Sequence, residues 1–102
     1  MTQPQLTLAT DNSRQPPVVT AEGEIDLATV EAFKNAVAKA ATESALVVNM
    51  TGVRYCDSAA VRALFAIAGS TALTLVVPRT GSINTLLRIT GLDQMAEIQI
   101  AS

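Results

Sequence analysis

The stretch from Asn49 to Leu64, N-M-T-G-V-R-Y-C-D-S-A-A-V-R-A-L, joins an apolar strand to the start of a helix and is the most informative part of this sequence. We interpret Thr51-Gly52 as a turn after the strand and Asp57-Ser58 as the start of the helix. A serine in that position lies at a helix N-terminus, where unpaired backbone N–H groups and the positive end of the helix dipole favour an added phosphate. The stretch therefore predicts a strand-to-helix junction that suits a switch.

The chain before this stretch begins with a strand pattern. Leu6 and Leu8 recur at period two and predict a first strand. The polar segment 11–17 is predicted to be a turn, and Val18 to Glu24 a second strand. The two strands are expected to form an antiparallel hairpin.

A helical spacing follows from Asp26, which we interpret as the N-cap of a first helix ending near Thr42. Its buried stripe is predicted to consist of Leu27, Val30, Phe33, Val37 and Ala41. The next segment, Ala45 to Val48, is a continuous apolar run, which is typical of a central strand covered on both faces.

The chain after Ser58 continues with a second helix, whose exposed start carries this serine. The buried stripe of this helix is predicted to be Val61, Leu64, Phe65 and Ala68. Leu73 to Val77 then predicts a strand that Pro78 ends, parallel to the preceding strand and joined to it by a right-handed crossover.

The C-terminal part predicts one more helix and one more strand. The helix is marked by Ile83, Leu86, Leu87 and Thr90. Ser82 is its candidate cap, Gly91 fits the left-handed position after its end, and Leu92 fits the hydrophobic contact that follows. Alternation from Ala96 to Ile100 predicts a last strand at the sheet edge. The whole pattern predicts an α/β domain with a mixed sheet of about five strands and three helices, in the order β-β-α-β-α-β-α-β.

Composition excludes several classes of function. The 102 residues carry a net charge of −2 and 3% aromatic residues, whereas a nucleic-acid surface needs clustered Lys and Arg with stacking rings. With 49% hydrophobic residues, we expect one domain over residues 1–102 with its own core. Cys56 is the only cysteine, no signal sequence opens the chain, and no apolar run approaches the ~20 residues that span a bilayer. We therefore expect a cytoplasmic protein that does not insert into membranes.

The chain contains no histidine. Ser58 therefore cannot belong to a Ser-His-Asp triad, and a single cysteine without histidine excludes an ordinary structural zinc site. The segment 78–82, P-R-T-G-S, lacks the phosphate-loop pattern and is interpreted as a turn and helix cap. We expect neither catalysis by this chain nor a metal or cofactor of its own.

Four motifs in one order resemble the STAS domain of bacterial anti-sigma factor antagonists. They are G-E-I-D at 23–26, L-V-V-N-M-T-G-V at 46–53, Asp57-Ser58, and L-L-R-I-T-G-L at 86–92. The resemblance covers nearly the whole chain, and it implies the same fold that the periodicity predicts, a sheet with helices packed against it.

What the resemblance implies is partner switching. In such antagonists the serine directly after the aspartate is phosphorylated by the cognate anti-sigma factor, which is itself a serine kinase of the GHKL ATPase type. The unphosphorylated antagonist binds that kinase and frees the sigma factor, and a phosphatase resets the switch. Ser58 matches the phosphoryl acceptor, Asp57 the neighbouring acid, and Asp26 the acid in the loop after the second strand that borders the same site.

Ala59 and Ala60 stand where the family usually has Ser or Thr and then Gly. The family glycine suits a close approach by the kinase backbone, so we expect a methyl group at Ala60 to change recognition, and we count both alanines with Asp26, Asp57 and Ser58 as the predicted partner-binding residues. The alanines also suit a second class, the STAS domains that serve without phosphorylation as cytoplasmic accessory subunits of ABC-type lipid transporters. A scaffold piece of a large sensory complex is a third alternative.

Each highlighted residue also has a purely structural interpretation. Ser58 is then only a helix N-cap, a role worth ~1 kcal/mol, and Asp57 only complements the helix dipole. Cys56 is predicted to be a small buried apolar residue.

Overall fold

The computed structural model describes residues 5–41 and 45–101. These residues form a five-stranded mixed sheet with three α-helices packed on it. The elements are β1 Leu6–Asp11, β2 Val18–Ile25, α1 Val30–Ala40, β3 Ala45–Cys56, α2 Ser58–Ala68, β4 Ala72–Val77, α3 Ile83–Thr90, a short 3-10 helix Leu92–Gln94, and β5 Glu97–Ile100. The order across the sheet is β1-β2-β3-β4-β5. Pairing is antiparallel between β1 and β2 and parallel elsewhere, which confirms the predicted hairpin, mixed sheet and element order.

The hydrophobic core lies between the helices and one face of the sheet. Buried residues alternate with less buried ones along β4, the first half of β2 and the first half of β3. They are in register with one another, as in the pairs Val19 with Val48 and Leu46 with Leu73. The helices bury Val30, Phe33, Val37 and Ala40 from α1, Ala60, Val61, Ala63 and Leu64 from α2, and Ile83 and Leu87 from α3. All these side chains except Val61 join the strand residues in one cluster. The predicted coverage of β3 on both faces is wrong, because Ala45 and Val47 on the other face are only half-buried.

The predicted turn at Thr51-Gly52 is wrong, because β3 continues through both residues to Cys56. The reason is the neighbouring strand β2, which pairs with β3 as far as Ile25. The register between the two strands shifts at irregular positions, and the pairing continues beyond them. Gly52 pairs with Glu22 within this irregular region. Tertiary pairing therefore overrides the local turn signal, and it extends β3 toward the start of α2.

Helix α1 begins at Val30, so the prediction of Asp26 as its N-cap is wrong. Asp26 instead closes a turn before the helix, in which its Oδ1 accepts hydrogen bonds from the backbone N–H groups of Ala28 at 3.0 Å and Thr29 at 3.1 Å. Because this turn precedes the helix, Leu27 is not on the buried stripe but is 79% exposed. The last helical residue is Ala40, and Thr42, the predicted end, lies outside the described residues.

The C-terminal elements follow the sequence prediction closely. Gly91 has φ of 83° and its N–H donates to Arg88 O, so the left-handed end of α3 is confirmed. Leu92 is fully buried after it. Ser82 stands directly before α3, but its side chain makes no capping hydrogen bond. None of the helices that the structure describes is long and apolar enough to cross a bilayer.

Candidate functional site

Ser58 is the first residue of α2 and its side chain is exposed. The helix is capped by the residue before it: Asp57 has an extended backbone, and its Oδ1 accepts hydrogen bonds from Ala59 N at 2.9 Å and Ala60 N at 3.3 Å. The interpretation of Ser58 as an N-cap is therefore wrong, since Asp57 has that role. The Ser58 hydroxyl is not needed to start the helix.

The structure brings Asp26 and Asp57 to the same edge of the sheet. The residues before them, Ile25 and Cys56, are paired at the carboxyl ends of the parallel strands β2 and β3. A hydrogen bond of 3.2 Å from Asp57 N to Ile25 O joins the two connections directly. In parallel α/β sheets this edge is where binding sites form, so the aspartates and Ser58 occupy a favourable position.

The two alanines after Ser58 differ in exposure. Ala59 is half-buried and lines a groove between α1 and α2. Ala60 is fully buried in the core, so its methyl group does not lie on the surface, and its effect on partner recognition stays a prediction. Ala60 lies three positions after the N-cap, on the side of α2 that packs into the core. Its backbone N–H donates a hydrogen bond to Asp57 Oδ1.

Two grooves run along the sides of α2. The α2–α3 groove, of about 510 Å³, is lined by Ser58, Val61, Arg62, Phe65, Leu86 and Thr90. The α1–α2 groove, of about 370 Å³, is lined by Leu27, Val30, Lys34, Ala59, Arg62, Ala63 and Ala66. Ser58 thus stands on the rim of a mainly apolar groove, a feature that sequence reasoning missed.

Large apolar side chains are exposed on the loop and helix that border these grooves. Leu27 lines the α1–α2 groove and is 79% exposed, and Ile89 on α3 is 78% exposed. Exposed apolar side chains beside an apolar groove are typical of a protein interaction surface. Ile89 does not belong to the predicted buried stripe of α3. Its position outside that stripe is the signal in the sequence that indicates its exposure.

Substitution of Asp57 separates its capping role from its charge. We expect Asp57→Ala to lower the free energy of unfolding by about 1 kcal/mol, because the N–H groups of Ala59 and Ala60 lose their acceptor. Asp57→Asn keeps an acceptor oxygen and should lose only a few tenths of that amount. Urea unfolding of the three proteins measures the difference, and equal stability of the Asp57→Ala protein would contradict the capping role.

Cys56, at the end of β3, is a buried free thiol, as predicted. Burial, and secondarily the charge of Asp57, raises its pKa from 9.0 to about 11. The folded state therefore holds the proton more tightly than the unfolded chain, so the thiol's contribution to stability is complete below about pH 9 and is lost as the pH rises toward 11. We expect thiol labelling at pH 8 to be at least tenfold slower in the native protein than in urea; equal rates would contradict this assignment.

The fold and this site define a small α/β domain with an exposed serine at a strand-to-helix junction beside an apolar interaction surface. The family model "Mlab, STAS domain" matches residues 8–99, and the chain therefore belongs to the STAS domain family. No curated protein matches the chain significantly.

Solved structures of anti-sigma factor antagonists share the fold. An antagonist from Mycobacterium paratuberculosis is 24% identical, with a TM-score of 0.84, and the match covers 97% of this chain and 90% of that one. The antagonist SpoIIAA in its unphosphorylated form is 16% identical, with a TM-score of 0.73 and coverage of 94% and 89%. These comparisons confirm the predicted STAS-like α/β fold.

Proposed function

We propose that this protein is an anti-sigma factor antagonist that binds an anti-sigma factor serine kinase in the cytoplasm and is released by phosphorylation of Ser58. The observation that carries the proposal is the position of Ser58: it is exposed on the rim of the α2–α3 groove, while Asp57 alone caps the helix. The serine is therefore available for modification without loss of the capping bonds.

The proposed phosphorylation requires no catalytic residue from this chain. The kinase would transfer the γ-phosphoryl group of ATP to Ser58 Oγ, a base of the kinase would accept the hydroxyl proton, and ADP would leave. A phosphatase would restore the hydroxyl by hydrolysis. This chain contributes the acceptor, its exposure at the start of α2, and the surface that the kinase recognises.

Phosphorylation would oppose binding through charge and solvation. The phosphate adds about −1.5 to −2 charges directly after Asp57, at the rim of the mainly apolar α2–α3 groove. Docking a partner there removes water from the phosphate, and the loss of its hydration opposes binding unless cations compensate for it. The unmodified hydroxyl has no comparable penalty.

The proposal is tested by incubating the protein with the GHKL-type kinase encoded nearest to its gene, with ATP and Mg²⁺, and measuring the intact mass. We expect one added phosphate in the wild type and none in Ser58→Ala. A phosphate that persists in Ser58→Ala would contradict the site. Failure to bind any such kinase, together with copurification with an ABC transporter ATPase, would favour the accessory-subunit function of other STAS domains.

A further inference from the structure

Arg62 follows Ser58 by four residues on α2, and both side chains line the α2–α3 groove. Residues with this spacing on a helix are neighbours, with Cβ atoms about 5–6 Å apart. Helical side chains also lean toward the N-terminus of their helix, which brings the Arg62 guanidinium toward Ser58. We propose that Arg62 has two alternating partners: an acidic side chain of the bound protein, and the phosphate of Ser58 once it is modified. This inference rests on the proposed function, which supplies the bound protein and the phosphorylation of Ser58.

Arg62 is available for both partners. Its side chain is exposed, and within residues 5–41 and 45–101 the ion pairs are Arg14 with Asp11 and Lys34 with Glu31. Asp57, the acidic residue closest to Ser58 in the sequence, accepts hydrogen bonds from backbone N–H groups of α2. The guanidinium donors of Arg62 are therefore not committed to an ion pair within the described fold.

The linings of the two grooves indicate the chemistry of the partner. Arg62 lines both grooves, and Lys34, which pairs with Glu31, lines the α1–α2 groove. None of the residues in 5–41 and 45–101 that line either groove is acidic. The remaining lining residues are mostly apolar. Charge complementarity therefore selects a partner segment that carries an acidic side chain between apolar ones, and a guanidinium binds a carboxylate with two parallel hydrogen bonds.

Phosphorylation would then act twice on the same surface. A phosphate on Ser58 offers the planar guanidinium of Arg62 a stronger, doubly charged acceptor one helical turn away. Arg62 is withdrawn from the partner, and the phosphate repels the partner's acidic side chain. The switch thus needs no change of fold.

The phosphate pairing is tested without any kinase. Phosphoserine is installed at position 58 during synthesis, and the thermal midpoint is measured with and without phosphate in the wild type, Arg62→Gln and the control Lys39→Gln. Lys39 is exposed in the last turn of α1 and lines neither groove of α2. We expect the phosphate-dependent shift to be about 2–5 °C more favourable in the wild type and Lys39→Gln than in Arg62→Gln. Equal shifts in all three proteins would overturn the pairing.

The recognition role is tested on unphosphorylated protein with the same kinase. We expect Arg62→Gln to bind about 10- to 100-fold more weakly than the wild type, and Lys39→Gln to bind as the wild type does. Unchanged binding of Arg62→Gln would overturn the recognition role and leave the proposed function intact. Absence of wild-type binding would refute the proposed function and the recognition role together, whereas the thermal measurement would still decide the phosphate pairing.

Discussion

Ser58→Asp is expected to weaken binding to the anti-sigma factor kinase at least about 100-fold, equivalent to about 2.7 kcal/mol. The substituted side chain places a permanent negative charge directly after the Asp57 carboxylate and at the rim of the apolar α2–α3 groove. Burial of that charge against a partner costs its hydration. Because Asp57 retains both capping bonds, the domain itself should unfold at nearly the wild-type urea concentration.

Two matched variants identify the cause of the loss. Ser58→Ala removes the hydroxyl without adding charge and should bind within a few-fold of the wild type, while it resists phosphorylation. Ser70→Asp adds the same charge in the exposed turn after α2, at the other end of the helix, and should also bind normally. Calorimetric titration of the four proteins against the kinase gives the comparison; normal binding of Ser58→Asp would remove the electrostatic basis of the switch.

Gly23→Ala is expected to lower the free energy of unfolding by about 3 kcal/mol or more. Gly23 has a φ angle of 113°, a backbone conformation that residues with a Cβ atom rarely adopt. A Cβ there would overlap the Gln5 carbonyl oxygen and lie 3.1 Å from the carbonyl carbon. That oxygen cannot move away freely, because it accepts a hydrogen bond of 2.8 Å from Glu24 N. The substitution therefore strains the start of β1 and the end of β2 together.

Gly81→Ala is the control for the contribution of φ alone. Gly81 has φ of 108°, nearly that of Gly23, but a Cβ there would meet no atom within 4 Å. We expect this variant to lose about 1–2 kcal/mol in urea unfolding. Equal losses for the two variants would show that the contact with Gln5 has no energetic importance.

Local patterns predicted most of the elements because their signals agree with the final packing. The alternation in β1 and Gly91 after α3 coincide with the structure. In the predicted stripe of α1, Val30, Phe33 and Val37 are buried, whereas Leu27 and Ala41 lie before and after the helix.

The failures at Thr51-Gly52 and Asp26 have different physical causes. At Thr51-Gly52 a partner distant in sequence, β2, extends β3 through the local turn signal. At Asp26 the carboxylate closes a local turn with Thr29, and this turn delays the start of α1.

The site was predicted only in part, because some of it is formed by residues that are distant in sequence. Asp57-Ser58 is a local signal and could be recognised at the start of α2. The groove beside it is formed by residues that are distant in sequence, such as Phe65 on α2 and Leu86 on α3, and their relative position depends on the packing of two helices. Arg62 has no significance in the sequence until the structure places it with Ser58 on that groove.

We propose that phosphorylation of Ser58 controls the binding of a kinase partner. The most direct test is to phosphorylate the wild-type protein completely, confirm Ser58 as the modified residue by fragmentation mass spectrometry, and measure the Kd of both forms for a catalytically inactive form of the kinase. We predict that the unphosphorylated form binds and that the phosphorylated form binds at least about 100-fold more weakly. Equal affinities of the two forms, or tighter binding after phosphorylation, would contradict the claim.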